Sequence, residues 1–258
     1  MKIAVHMLLF NQDKFILKTL ENCGEFVDKI YIGWSRVPWN YNATAQNIIN
    51  KTNLNILKQS KYYDKIQVVI GEWKLDEDER NACRLKAKED GMDYLIIQDC
   101  DEFYTREGYK NLINSIKNNP DYDYYNSEWI VFWKNLKYCV VGENWKRGQI
   151  CGDVEVAINL NKDIEFVRAR SPGRNGRRCG NFLKIQNATC YHLCFVLTDE
   201  ECWNKINTWG HSHQFNINEW YKNVWLNWNP TMINIHPITP NAWHKTLEFK
   251  GPLPKELC

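Results

Sequence analysis

The sequence predicts an α/β fold, with a parallel, doubly wound sheet in the first half of the chain and a β-rich second half. Short apolar segments of strand length alternate with amphipathic segments of helix length through residue 103, an order typical of a parallel sheet with helices on both faces. Between residues 124 and 169, strand-length segments rich in aromatic and β-branched residues follow one another. The 258 residues suffice for one large domain.

Hydrophobic periodicity assigns the elements of the first half. Strands are predicted at 2–10, 29–33, 65–73 and 94–97, and helices at 13–23, 43–59 and 76–90. Glycines at positions 24 and 91 follow the first and last of these helices, where a residue free to leave the helical conformation is favoured.

The second half is predicted to begin with a helix and to continue mainly as strands. Its helices are predicted at 107–118, 199–209 and 216–227, and its strands at 124–133, 138–141, 154–160, 164–169 and 188–196. Thr198, followed by three acidic residues, is a favourable start for the helix at 199. From Pro230 the chain is rich in Pro and Trp, which predicts an extended strap on the surface of the domain.

Three carboxylates follow the apolar strand at 94–97 without a break: Asp99, Asp101 and Glu102. Open α/β sheets bind ligands at the carboxyl ends of their strands, where these side chains would lie. In an extended chain, alternation turns Asp99 and Asp101 to the same side. Two carboxylates on one side can hold Mg2+ or Mn2+, which would also offset their repulsion.

An apolar strand running into Asp-x-Asp and then Glu-Phe resembles the GT-A glycosyltransferases. Segments 7–11, 15–20, 69–73, 79–82 and 91–94 look like other parts of their nucleotide-binding half, and the resemblance is specific to about residue 105. Tyr191-His192-Leu193-Cys194-Phe195, with Lys205-Ile206 and His211, is similar to the family that adds the bisecting N-acetylglucosamine. The resemblance implies one GT-A domain over 1–258, with a nucleotide-sugar-binding half (1–105), an acceptor half (106–229) and a C-terminal strap (230–258).

The same resemblance implies roles for individual residues. Asp101 would bind the metal ion directly and Asp99 would act through water and the ribose. His192 would be a further metal ligand, with His211 and His213 as alternatives. Two groups of residues are implied to bind the nucleotide: Phe10 and Asn11 near the base, and Arg80 and Asn81 near the ribose or diphosphate. The expected cofactor is Mn2+ or Mg2+, and the expected donor is a UDP- or GDP-sugar.

A run of five arginines lies between residues 168 and 178, together with two glycines and a proline. The glycines and proline predict a loop rather than a strand or helix interior. Arginine forks suit phosphate oxygens, so Arg177 and its neighbours could close on the diphosphate of the donor. They could also bind a DNA acceptor carrying a modified base, and a merely solvated basic loop is the third alternative.

An inverting transferase, which we expect here, needs a carboxylate base to take the proton of the acceptor hydroxyl. Asp153 and Glu155, at the start of a strand in the acceptor half, are the candidates, with Glu128 behind them. A retaining mechanism would need no such base, so the stereochemical course stays open at this point.

Composition bounds the remaining function classes. Lys and Arg number 33 against 31 Asp and Glu, a near balance that argues against a general nucleic-acid coat protein. No apolar run reaches the length of a membrane span, and the first residues are too short for a signal peptide. The ten cysteines are therefore expected to be reduced in a cytosolic protein. Abundant Asn, Lys and Ile are typical of an AT-rich genome, such as that of a virus.

The sequence thus predicts a metal-dependent transferase that moves a sugar from a nucleotide donor to a glycan acceptor. A nucleotidyltransferase also pairs carboxylates with Mg2+, but the segment after the first strand, Leu8 to Gln12, contains no glycine for a phosphate-binding loop. A non-catalytic carbohydrate-binding protein would rest on the Trp and Tyr content alone.

Overall fold

The fold is described from a computed structural model that covers residues 1–39, 48–143 and 152–258. The strands are β1 Ile3–Leu8, β2 Lys29–Ser35, β3 Ile66–Gly71, β4 Tyr94–Ile97, β5 Glu102–Phe103, β6 Tyr124–Trp133, β7 Asn135–Val141, β8 Asp153–Asn159, β9 Glu165–Arg168, β10 Ser171–Arg174, β11 Arg177–Arg178, β12 Phe182–Lys184, β13 Cys190–Phe195 and β14 Lys245–Glu248. The helices are α1 Asp13–Cys23, α2 Asp76–Glu89, α3 Arg106–Asn118, α4 Asp199–Thr208 and α5 Ile217–Trp220.

One large mixed sheet runs through the described residues, in the order β14-β7-β6-β8-β4-β1-β2-β3. Strands β3, β2, β1 and β4 are parallel, which confirms the predicted parallel core. Antiparallel strands β8, β6, β7 and β14 extend it. The strand β6 also pairs in parallel with β12 and β13, and β13 returns to pair with β5. The sheet is therefore continuous across the two halves of the chain.

Helices cover both faces of the parallel strands, as a doubly wound sheet requires. Alternate residues of β1, such as Val5 and Met7, pack with α1 and α3 in one core cluster, while Ala4 packs with α2 in another. Val5, Met7 and Ala4 are fully buried. Burying a side chain the size of valine or methionine contributes roughly 1.5–3 kcal/mol, so β1 is firmly anchored between the two helical layers.

The arginine-rich segment differs from its prediction as a loop. It forms a small antiparallel sheet, β11-β10-β9, whose tight turn consists of Asn175 (φ 50°) and Gly176 (φ +70°). Two successive residues with positive φ form the turn that matches the twist of a hairpin, and Asn-Gly is the pair that favours it. The turn signal was present in the sequence, but it marks a hairpin rather than an open loop.

Other elements differ from their predictions in detail. Of the predicted helix at 43–59, residues 43–47 lie outside the described residues, and the only helical part of the remainder is a 3₁₀ turn at Leu54–Gln59. The predicted helix at 216–227 is divided into α5 and a π-helical segment, Tyr221–Leu226. The tail beyond Pro230, predicted as an extended strap, contributes the edge strand β14 and a 3₁₀ turn, Lys255–Leu257, that contacts α1. In the described residues, no helix has the length and apolarity needed to cross a membrane.

Candidate active site

The candidate site is built around a tight turn that follows β4. Alternation along β4 buries Leu95 and Ile97 on the face covered by α2, and it continues one residue pair further to aim Asp99 at the same helix. The chain then turns, with the Glu102 amide donating to the Asp99 carbonyl at 3.0 Å. Because of this turn the alternation stops before Asp101, so the two aspartates meet different partners instead of facing one side together.

Asp99 forms a bidentate ion pair with Arg80 of α2. The two terminal guanidinium nitrogens donate to Oδ1 and Oδ2 at 2.9 and 2.8 Å. Burial by itself would raise the pKa of Asp99, but the charges of Arg80 and Arg170 outweigh it and hold that pKa well below its usual value. Asp99 is therefore ionised, and both of its oxygens are engaged.

Arg170 is a residue of the site that was not singled out from the sequence. It reaches in from the turn between β9 and β10 and forms a two-pronged ion pair with the fully buried Glu102, including Nη2–Oε2 at 3.1 Å. It also donates to the Ile97 carbonyl at 3.2 Å and lies 3.9 Å from Asp99. Glu102 in turn accepts from the Asp99 amide at 3.0 Å. Arg170 thus holds the turn closed while sharing the charge of Asp99.

Asp101 lies between two basic groups from the second half of the chain. His192 Nε2 is 3.4 Å from Oδ1 and Lys205 Nζ is 3.8 Å from Oδ2. Burial raises the pKa of Asp101, but His192 and Lys205 lower it further, so the net change is downward. Asp101 is held in place by its own backbone, whose carbonyl accepts from the Leu193 amide at 2.8 Å.

The His192 ring is fixed by stacking on Trp129, with ring centroids 4.9 Å apart and planes 17° from parallel. Burial disfavours its charged form, but the neighbouring Cys194 and Asp101 raise the pKa of His192 well above its usual value. Nε2 is the ring nitrogen of His192 that faces Asp101. Strand β13 brings it there through its pairing with β5, which places His192 opposite Glu102.

A divalent cation is compatible with part of this arrangement. An oxygen of Asp101 and a nitrogen of His192 converge, and carboxylate and imidazole are a donor set suited to Mn2+. Asp99 does not offer a free oxygen, because both are bonded to Arg80. Among the described residues, no group of three or more His, Cys, Asp or Glu side chains is placed to hold a metal ion. Besides Asp101 and His192, the ligands of the ion would be substrate phosphates, as is common for such ions.

Phe10 and Asn11 follow the carboxyl end of β1. They lie close to Trp39 and Asn50, two residues that come after β2 in the chain. Asn11 has a φ of 53°, a conformation that side chains rarely adopt and that recurs at functional sites. Asn50 bridges the two strand ends by donating to the carbonyls of Leu9 and Ser35 at 2.7 and 2.9 Å. The Phe10 ring lies 6.4 Å from that of Trp39. Two aromatic rings at a strand end form a surface suited to a planar base.

Glu79, one residue before Arg80, is a second group that the sequence did not indicate. It is fully buried and accepts a hydrogen bond from the Trp39 indole, while its Oε1 has no partner among the described residues. Burial raises its pKa to about 8, so Glu79 is largely neutral at pH 7. Asp76, in the first turn of α2, likewise has its pKa raised by burial, to about 7.

Asn81 does not face the turn after β4. Its amide nitrogen donates to the Phe166 carbonyl at 2.7 Å, and its amide oxygen accepts from the Phe166 amide at 3.0 Å. Both contacts fasten β9 to α2. Asn81 faces β9 while Arg80 faces Asp99, because neighbouring residues on a helix point about 100° apart.

The acceptor-half carboxylates are brought to the same edge of the sheet. Strand β8 runs antiparallel beside β4, with Ala157 opposite Ile96, so its first residues lie past the end of β4. Glu155 is ion-paired with Arg178, and Asp153 with Lys184 at 2.7 Å. Glu128, paired in register with Asp153, accepts from the Thr189 hydroxyl at 2.9 Å.

The other arginines of the small sheet have separate roles. Arg174 is 3.3 Å from Asp123, and Arg168 is exposed near Glu77. Arg177 is exposed in β11 and makes no ion pair within the described part of the chain. The predicted contact of Arg177 with a diphosphate therefore has no preformed partner at the turn after β4, whereas Arg170 is already there.

A polar network supports the turn from the α1 side. Asn22 donates to the Tyr104 carbonyl at 2.8 Å and to Glu256 of the strap at 3.0 Å, and it accepts from Gln98 at 3.1 Å. Gln98 also donates to the Glu102 carbonyl at 2.8 Å. The strap thus reaches the back of the turn through Asn22.

A cavity of about 370 Å3 lies elsewhere in the described residues. It is lined by Asp93, Tyr94, Pro120 and Asn159, among others, and Tyr94 is the first residue of β4. It therefore opens at the opposite end of β4 from the carboxylates.

Comparisons with known proteins find similar folds and no sequence relatives. No protein-family model and no curated protein matches the sequence. Among solved structures, S. aureus TarS 1–349 in complex with UDP has a TM-score of 0.46 and 13% identity over 90% of this chain and 73% of that chain. TarS 1–349 alone has a TM-score of 0.46 and 12% identity over 80% and 63%.

A protein from Desulfovibrio desulfuricans G20, provisionally described as a nucleotide-diphospho-sugar transferase, has a TM-score of 0.38 and 12% identity over 62% of this chain and 65% of that one. The chain thus spans just under two thirds of the length of two of these structures. Similarity at this level assigns no residue roles. The likeness to the bisecting family and the viral source stay predictions from sequence.

Proposed function

We propose that this protein is a metal-dependent glycosyltransferase that moves a sugar from a UDP- or GDP-sugar to a glycan acceptor with inversion. The observation that carries the proposal is the turn after β4, where Asp101 meets His192 at 3.4 Å and Asp99 is held by Arg80. This cluster lies at the carboxyl end of a parallel strand, which is where open α/β sheets bind their ligands.

The nucleoside of the donor would lie over the ends of β1 and β2. Phe10 would stack on the base, and the left-handed turn of the backbone at Asn11 would let the ribose approach the chain closely. Asp99 has lone pairs left after its bonds to Arg80, and these can accept hydrogen bonds from ribose hydroxyls. Arg80 keeps Asp99 ionised and oriented for that contact.

The diphosphate would lie next to Asp101 and His192. A divalent cation held by these two side chains would supply stabilisation of the negative charge that develops on the leaving diphosphate. His192 is prepared for this role by its stack on Trp129, and Asp101 by its backbone bond to Leu193. Arg170 keeps the intervening turn closed through Glu102.

The acceptor would enter from the β8 side. Glu155 is our first candidate for the base, with Asp153 as the second. Glu155 is paired with Arg178 and Asp153 with Lys184, and each cation must release one carboxylate oxygen when the acceptor hydroxyl arrives. If Glu155 is the base, Glu155→Gln lowers kcat by roughly 100-fold or more, while the binding of donor nucleotide is unchanged.

The proposal is tested by calorimetric titration of UDP and GDP in Mn2+ and in EDTA. The proteins compared are wild type, Asp101→Asn and, as a matched control, Asp121→Asn, which alters an exposed carboxylate beside the cavity at the other end of β4. We expect one nucleotide to bind more tightly with Mn2+, and the Mn2+ effect to vanish only in Asp101→Asn.

Two results would contradict the proposal. If neither nucleotide binds wild type, the glycosyltransferase assignment fails. If sugars bind but nucleotides do not, and neither EDTA nor Asp101→Asn changes that binding, the protein is a carbohydrate-binding module instead.

A cytosolic location and the choice of UDP or GDP are parts of the proposal that rest on the sequence. The cysteines in the described residues are free thiols.

A further inference from the structure

We propose that Lys205 binds the diphosphate of the donor directly and takes over part of the charge neutralisation otherwise supplied by a divalent cation. The inference rests on the proposed function and adds to it a residue of α4, far from the Asp-x-Asp motif in sequence. It predicts that this site binds a nucleoside diphosphate measurably even when no divalent cation is present.

The Lys205 ammonium lies beside Asp101 with donors to spare. It donates to the Cys194 carbonyl at 2.9 Å and lies 5.5 Å from the centre of the Phe195 ring. Oδ2 of Asp101 is 3.8 Å away, which is ion-pair range but beyond hydrogen-bond distance. An ammonium has three N–H donors, so Lys205 has donors left for an anion arriving beside Asp101.

Basic side chains already flank Asp101 on both of its oxygens. Asp101 is approached by His192 on one oxygen and by Lys205 on the other. A divalent cation bound to Asp101 would share that carboxylate with the ammonium, and like charges a few ångströms apart repel even at a protein surface. The ammonium therefore weakens metal binding in the free protein, and it provides a cation that is present in every molecule.

Lys205 is held in place because its helix, α4, is anchored to α1. The helix α4 begins with a reciprocal capping pair between Thr198 and Glu201. Glu201 also bonds to Lys14 of α1 at 2.9 Å, and Lys14 donates to the Val196 carbonyl at 3.1 Å. A lysine whose helix is tied to the nucleotide half loses less freedom on binding an anion than one on a free surface would.

The test is calorimetric titration of UDP and of UMP into wild type, Lys205→Met and Lys134→Met, each in EDTA and in Mn2+; GDP and GMP replace them if the protein prefers guanine. Lys134→Met is the matched control, because Lys134 also packs on an aromatic ring, Trp225, and contacts α4 at Asp199, away from Asp101. Thermal unfolding of all three proteins reports any loss of structure.

We expect wild type to bind UDP in EDTA, and Lys205→Met to lose about tenfold or more of that affinity, equivalent to about 1.4 kcal/mol. UMP, which lacks the distal phosphate, should bind both proteins equally, and Mn2+ should restore UDP binding by Lys205→Met. A merely structural role of Lys205 would weaken UDP and UMP alike.

Three results would overturn the inference: wild type that binds UDP only with Mn2+, equal losses for UDP and UMP, or a Lys134→Met variant that loses as much as Lys205→Met. In each of these the nucleotide still binds, so the proposed function survives. If wild type binds no nucleotide in any condition, both the inference and the proposed function fail together.

Discussion

Arg80 and Asp99 are joined by two parallel hydrogen bonds, Nη1 to Oδ1 at 2.9 Å and Nη2 to Oδ2 at 2.8 Å. Arg80 is 5% exposed and Asp99 is 22% exposed, so the guanidinium is shielded from water while the carboxylate is only partly buried. Such a pair fixes the position of the Asp99 carboxylate but adds little net stability to the fold, because the cost of desolvating the charges offsets much of their attraction.

Removing one partner of this pair should be strongly destabilising. Arg80→Met leaves Asp99 without its main counter-charge, and we expect the free energy of unfolding to fall by about 3–5 kcal/mol in urea titrations. Arg36→Met is the control: Arg36 and Glu72 form an ion pair in which both side chains are well exposed, so the loss there should stay within about 1 kcal/mol. Equal losses in the two variants would mean that Asp99 does not need Arg80.

Asn81→Ala should affect stability and leave nucleotide affinity alone. It removes both contacts with the Phe166 backbone and leaves those buried groups unpaired, at a cost of about 1–3 kcal/mol. Chemical unfolding and calorimetry with UDP, run on the same preparation, separate the two effects. A clear loss of UDP affinity with unchanged stability would restore Asn81 to the nucleotide site.

Glu79 should make the protein less stable as pH rises. Its pKa is about 8 in the folded protein against 4.5 ordinarily. The folded state therefore holds the proton more tightly, and this stabilisation is full below pH 4.5 and lost as pH rises through 8. A pKa difference of one between the folded and unfolded states corresponds to about 1.4 kcal/mol. Glu79→Gln should flatten the decline in unfolding free energy between pH 5 and 9 relative to wild type.

Asp76 also contributes to the dependence of stability on pH. Its pKa is also raised, to about 7, so a shallower decline should persist in Glu79→Gln and disappear when Asp76→Asn is added. Glu72→Gln, at an exposed position, serves as the control and should leave the wild-type profile unchanged. A Glu79→Gln profile identical to wild type would show that Glu79 is ionised in the folded protein.

The arginine-rich segment should not bind duplex DNA. Arg170, Arg174 and Arg178 are each paired with a carboxylate of the same chain, which leaves little free charge for phosphates. Anisotropy of a labelled duplex at low salt should show no binding, since affinity for DNA backbones is strongest there. Binding that weakens steeply with salt, and that Arg168→Gln with Arg177→Gln abolishes, would revive the DNA acceptor.

The parallel half of the fold was predictable because its information is local. Buried strands appear as apolar runs, and alternation along β4 is enough to place Asp99 on the α2 face. The same rule misplaced Asp101, because it assumes an extended chain and the Glu102–Asp99 backbone bond makes a turn. Local patterns therefore predicted the strand and its carboxylates, but not where each carboxylate would point.

The partners of those carboxylates come from distant segments and were not predictable from periodicity. Five arginines lie within eleven residues, and tertiary packing alone decides that Arg170 is the one that turns inward to Glu102, 68 positions away. His192 was identified through a motif resemblance, and its pairing with Asp101 follows from the β13–β5 contact. Glu79 was overlooked because a carboxylate in a strongly charged helix is usually solvated, and its burial depends on the packing of α2 against the sheet.

The continuity of the sheet limits how this protein can be recombined. A chimera that keeps residues 1–105 and takes the rest of its chain from another protein would retain Asp99, Asp101 and Glu102 but lose Arg170, His192 and Lys205. Glu102 would then be buried without a counter-charge, and β5 would lose its only strand partner among the described residues. A replacement of residues from the second half must therefore leave β9, β13 and α4 in place and confine itself to the segments between them.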